Sequence, residues 1–198
     1  MIEEQLISAF PVKVRQELCA SLRIAYQQAF EASLQFGPFA TRALGYAQHF
    51  YSDALLAKAA QRLKLNHAIG KNRAKNTPHL LIRSDNWQMT PHRLSRGRQM
   101  PVNAVYRAHY SVTNDMFADS ADEELAAAHG LGYVYLLHSG EKSLEFATLT
   151  VPDRLGTRPV HNEFLDAHAP LQTDVEEIDD MLDEGIKIRV EQAIRKSG

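Results

Sequence analysis

A chain of 198 residues, 44% apolar and 23% charged, is long enough to bury about 70% of its extended surface, so its core needs neither disulfides nor a structural metal. The single cysteine, Cys19, excludes an internal disulfide, and no apolar run approaches the roughly 18 to 20 residues that span a bilayer. The net charge of −2 conceals an asymmetry: residues 58–112 hold eleven Lys/Arg against one acid, Asp85, whereas residues 113–198 hold seven bases and eighteen acids. Such a basic block suits a polyanion, or attracts the acidic part of the same fold. Acids follow Met1-Ile2 where a signal peptide would carry bases, so a cytoplasmic location without membrane association is expected.

From Pro11 to Phe36, apolar residues recur at Leu18, Leu22, Tyr26, Ala29, Phe30 and Leu34, which predicts an amphipathic helix stopped by Gly37-Pro38. Ala43, Leu44, Ala47, Phe50, Tyr51, Ala54 and Leu55 continue the helical period, and the short connection predicts an antiparallel helical pair within residues 1–66. His49 lies beside this stripe and reads as a core histidine. From Asn66 to Thr77 the periodicity lapses into Asn, Gly, Lys and Arg, the composition of a basic linker.

The sheet region is expected over residues 78–152. Two apolar runs flank Asp85-Asn86, a pair suited to a tight turn, and the hairpin register then sets Ser84 opposite Trp87, Leu81 opposite Thr90 and His79 opposite His92. Leu80, Ile82, Trp87 and Met89 share one face of that hairpin; His79, Arg83, Gln88, Thr90 and His92 share the other. After a basic loop at residues 95–101, alternation over residues 102–112 predicts a half-buried strand carrying Arg107 and His109. Ser120 and Glu123 form a capping-box pattern for a short inserted helix ending at Gly130. Residues 132–138 and 143–151 predict a second hairpin that pairs Tyr135 with Phe146 and Leu137 with Leu144 on the core face.

Residues 153–198 are expected to wrap the surface irregularly as far as Pro170, with one helical turn around residues 163–167, and then to form a C-terminal helix. Thr173 and Glu176 would cap it, and Val175, Ile178, Leu182, Ile186, Val190 and Ile194 would line its apolar stripe. The fold class is thus α+β: an N-terminal antiparallel helical pair, an antiparallel sheet of about five strands and a C-terminal amphipathic helix, in one compact domain.

No motif dictates a reaction: the sequence lacks His-Glu-x-x-His, a cysteine pair, a Gly-rich phosphate loop and Gly-x-Ser-x-Gly. No cofactor is expected. The polar hairpin face carries what chemistry there is, since cross-strand neighbours lie about 5 Å apart at Cβ and His79 with His92 could hold one metal or one phosphate. The bland reading makes these residues a solvated outer face. The leading functional reading is a cytoplasmic DNA- or RNA-binding accessory subunit that neutralises phosphates through Lys71, Arg73, Lys75, Arg83, Arg93, Arg96, Arg98 and Arg107. One alternative is a small nuclease working from His79, His92, His109 and Arg83. Another is an antitoxin-like or complex-forming subunit whose basic middle meets its own acidic C-terminal part or that of a neighbour; a protein partner or a second copy is expected on the C-terminal stripe.

Overall fold

The computed structural model describes residues 2–71, 78–95, 97–102, 107, 110, 111, 114 and 132–165, with Lys71 described by its backbone alone. Helix α1 spans Ile2–Ala9, α2 Val12–Ser33 and α3 Ala40–Arg62, with a 3-10 turn at Leu34–Phe39 between the last two. Pro11 precedes the first turn of α2, where its missing N–H costs nothing. The expected stop at Gly37-Pro38 is instead a kink inside a nearly continuous helical run. Gly37 adopts φ 52° and ψ −120°, a backbone open to glycine at little cost, and helical geometry resumes at once. The run folds back at this kink, since Arg62 near the end of α3 pairs with Glu17 near the start of α2. Ala25, Ala29, Ala43 and Ala47 pack between the two arms, where small side chains let helices approach closely.

The sheet has six strands in the order β1-β2-β3-β4-β5-β6, namely Asn66–Lys71, Pro78–Ser84, Trp87–Arg93, Gly132–Gly140, Leu144–Pro152 and Pro159–Phe164. It is mixed, not purely antiparallel, because β3 and β4 run parallel from Trp87↔Gly132 to Arg93↔His138. A parallel pair needs a long crossover, and residues 94–131 supply its length. Two further strands lie where none was expected. β1 begins the supposed basic linker, and β6 occupies part of the supposed irregular wrap, including Glu163. Both are edge strands with largely exposed side chains, so neither has the buried alternation that marks a strand in sequence.

The first hairpin turns as expected at Asp85, which takes φ 47°, and pairs Ser84↔Trp87, Arg83↔Gln88 and Ile82↔Met89. The ladder stops there, and His79 and His92 are not ladder partners. Hydrogen-bonded pairs alternate along such a ladder, so the next one would join Leu80 to Pro91, which has no N–H to give. In the second hairpin the register also differs from expectation: Tyr135 pairs with Thr150 and Leu137 with Thr148, and an irregularity falls between Ser139 and Gly140. The shift follows from β4 running on to Gly140, beyond the expected start of the turn.

The helices cover one face of the sheet. Leu80, Ile82, Trp87, Met89, Val134, Leu136, Leu149 and Val151 pack there against Leu6, Phe10, Leu18, Leu22 and Leu56. That is the main core, and Val134 and Leu136 of the second hairpin belong to it; Tyr135 and Leu137 are buried as expected, but in a separate, smaller core cluster with Leu94 and Tyr133 on the opposite face. The expected strand at 102–112 is overturned where the chain is described: Arg107, Tyr110 and Ser111 are helical, and Ser111 Oγ donates to the Arg107 carbonyl one turn back. The inserted helix after Ser120 and the C-terminal helix with its apolar stripe lie outside the described residues.

Candidate functional site

Side chains alternate across a strand, so the residues of β2 to β6 that do not face the helices define a second face. Its centre is buried, contrary to the expectation of a solvated outer surface. His79, Thr90, His92, Tyr133 and Tyr135 are each less than a tenth exposed. Burial of so many polar groups requires hydrogen bonds, and the central ones are made by Thr90. Its Oγ1 lies 2.8 Å from His92 Nε2 and 2.6 Å from the Tyr133 hydroxyl. The His92 ring meets Tyr135 edge-on, with centroids 5.0 Å apart, and Tyr110 leans on Tyr133 at 5.3 Å. Asn114 fastens its segment to this face: its Nδ2 donates to the carbonyls of Tyr133 and Pro152, and its Oδ1 accepts from the Tyr133 N–H. Gly70 lies opposite His79 in the ladder, and a Cβ there would stand 2.5 Å from His79 Nε2, so glycine makes room for the imidazole.

This environment keeps both hairpin histidines neutral. Burial pushes His92 well below the ordinary histidine range, helped by the charge of Arg107 and by His138, His49 and His79. Burial and then Arg107 lower His79 in the same direction. An imidazole that is buried and held by Thr90 is poorly placed to take a proton from a substrate arriving from solvent. Among the described residues, no group of three or more His, Cys, Asp or Glu gathers as a metal site would require.

The charged residues sort by face. Arg83, exposed beside Gln88, alternates onto the second face, and Arg98 and Arg107 lie on the same side, Arg98 over β4 to β6 and Arg107 close to His79 and His92. Arg107 also donates to the Val102 carbonyl. The strand carboxylates go the other way. Glu163 pairs with Arg15 of α2, and Glu145 lies on the helix side near enough to Tyr26 to act on its hydroxyl. Among the described strand residues the second face carries no carboxylate. Arg93, though expected with the basic set, lies on the helix side, against Gly45 and the Tyr26 hydroxyl. Arg73, Lys75, Arg96, His109 and the side chain of Lys71 lie outside the described residues.

A separate titratable group sits between helices and sheet. The Tyr26 hydroxyl lies 3.0 Å from His138 Nδ1, and both residues are buried. Burial raises Tyr26, so the phenol keeps its proton; we assign it as the donor to Nδ1, which puts the proton of a neutral His138 on Nε2. Burial, with His49 and Arg93 adding to it, lowers His138 to about 3. Asp53 on α3 is raised by burial to about 6, with the nearby His49 opposing.

On the second face, where β4, β5 and β6 run beyond the tyrosine cluster, a cavity of about 380 Å³ opens. Leu94 and Leu137 form apolar lining, Phe146 and Phe164 contribute rings, and Thr148, Thr150 and Asn162 supply polar atoms. Arg98 and Gln99 complete it from the loop after β3. Of these residues only Arg98 stands out in the sequence. The one available signal is the alternation Thr148-x-Thr150 against Ala147, Leu149 and Val151, a polar stripe on a strand whose other side is core. Comparison with known protein families, with curated proteins and with solved structures finds no match to any of them.

Proposed function

We propose that the protein binds nucleic acid through the sheet face opposite the helices, as a binding or accessory subunit. The observation that carries this reading is the sorting of charge across the sheet: Arg83, Arg98 and Arg107 share a face without strand carboxylates, while Glu145 and Glu163 turn to the helix side. A surface of this kind attracts phosphate and releases counterions on contact, which gives affinity without a sequence preference. A nuclease built on His79 and His92 draws less support, because both imidazoles are buried and held neutral.

The test is polarisation anisotropy with labelled single- and double-stranded probes over a range of salt. When Arg83, Arg98 and Arg107 are reversed to Glu, the log–log salt slope should become shallower by about 0.7 to 0.9 for each phosphate that the protein no longer neutralises. Arg62→Glu, on the helix layer where Arg62 is already paired with Glu17, should change the slope little. Equal effects from both sets of substitutions, or no binding at low salt, would overturn the reading.

A further inference from the structure

The cavity on β4 to β6 has a chemistry more specific than a basic surface needs. Its volume of about 380 Å³ falls in the roughly 300 to 1,000 Å³ range of small-ligand sites. Phe164 lines it while remaining 71% exposed at the end of an edge strand. Exposed aromatic rings on a sheet are platforms on which bases stack.

The positions of the hydroxyl protons give the polar edge a direction. The Thr150 hydroxyl donates its only proton to Asn162 Oδ1 at 2.6 Å. In the 3.1 Å contact between Thr148 and Thr150, Thr148 must therefore be the donor. The chain ends with the Asn162 amide N–H groups as donors and a Thr148 lone pair as acceptor, both on residues that line the cavity. An apolar ligand would waste these groups, and a bare phosphate would waste the two phenylalanines and two leucines. A planar ring with donors and acceptors on its edge, joined to a phosphate, uses all of them and Arg98 as well.

We infer that this cavity takes one unpaired nucleobase of a single strand, stacked on Phe164, edge toward Asn162 and Thr148, with the adjoining phosphate at Arg98. The inference rests on the reading that this face meets nucleic acid, and it adds a preference for unstacked, single-stranded ends or loops. Paired bases inside a duplex cannot enter such a pocket without being flipped out.

The experiment uses the full chain and three probes of equal length at one salt concentration: oligodeoxythymidylate, a mixed-sequence duplex, and an abasic deoxyribose-phosphate strand. Wild type should prefer the first. Phe164→Ala should weaken that binding about tenfold or more while leaving the duplex and abasic affinities unchanged, and Phe164→Tyr should restore it. Asn162→Ala should weaken oligodeoxythymidylate alone, and Arg98→Glu should weaken all three. Equal affinity of wild type for base-bearing and abasic strands, or a Phe164→Ala loss shared by all probes, overturns the pocket and leaves the basic face standing. Failure to bind any probe overturns both. A Phe164→Ala variant that melts early yet binds as wild type would make the ring a packing element and also overturn the pocket.

Discussion

The two faces of the sheet are built from the same alternating strands and held by different forces. On the helix side, Leu80, Ile82, Met89, Val134, Leu136 and Leu149 meet helical leucines, and the stabilisation scales with apolar area at about 25 cal/mol per Å². On the other side, a smaller apolar cluster of Leu94, Tyr133, Tyr135 and Leu137 is joined by Thr90, His92 and Asn114, which are just as hidden from water and are held by directed hydrogen bonds. The first kind of face tolerates changes of shape that keep volume; the second is weakened even by a change of equal volume when that change deletes a hydrogen bond. Function is expected where the second kind opens out, because its polar atoms are already aimed and only their partners change from protein to ligand.

The largest test of this contrast is Leu136→Ala. Leu136 is fully buried against the helices, and truncation should cost about 2 to 5 kcal/mol, read as a fall in the urea midpoint at constant slope. A loss below about 1 kcal/mol would mean that apolar volume is not what holds that face. Thr90→Val is the matching test on the polar face. It keeps shape and removes the hydroxyl shared by His92 and Tyr133, so a loss of about 1 to 3 kcal/mol reports hydrogen bonding and not packing. A neutral result would erase the distinction between the faces.

The sequence displays the two faces unequally. The helix stripes and the Asp85-Asn86 turn are legible because each rests on local chemistry: a 3.6-residue period, and a residue able to take positive φ. The apolar side of the first hairpin follows from the turn alone. What covers the polar side is a tertiary matter, and alternation cannot tell a solvated threonine from one capped by a segment distant in sequence. The same limit explains residues 102–112. Their alternation suits a strand, yet Arg107, Tyr110 and Ser111 are helical, and nearby Asn114 is spent on the backbone of Tyr133 and Pro152. Local pattern yields there to long-range contact. The parallel β3–β4 pair is hidden for a similar reason, since a crossover leaves no mark at either strand. Of the candidate site, Arg98 is visible as part of the basic block, whereas Phe164 and Asn162 sit on an edge strand with no sequence signature.

A third test compares the two faces through their buried histidines, His92 on the polar side and His138 on the helix side. Both are held neutral in the folded chain, His138 with its titration lowered to about 3 and His92 well below the ordinary value of 6.5. Unfolding lets each accept a proton once the pH falls under about 6.5, so the unfolded state gains protons that the folded state refuses. Stability is therefore fully present above that pH and declines as pH falls, for His138 down to about 3, with a limiting slope of about 1.4 kcal/mol per pH unit for each histidine. His79 adds to the decline in the same direction. Asp53 acts against it: its folded titration at about 6 lies above the ordinary 3.8, so between those values the folded state holds a proton that the unfolded state releases, and acidification favours folding. The wild-type slope between about pH 6 and 4 is the difference of these contributions. His138→Gln, which keeps an acceptor for the Tyr26 hydroxyl but binds no proton, should flatten the loss of melting temperature over that range. Asp53→Asn should steepen it, by removing the carboxyl that opposes the histidines. A His138→Gln profile parallel to wild type would show that His138 is not held neutral, and the Tyr26 hydrogen bond would then need the opposite proton assignment.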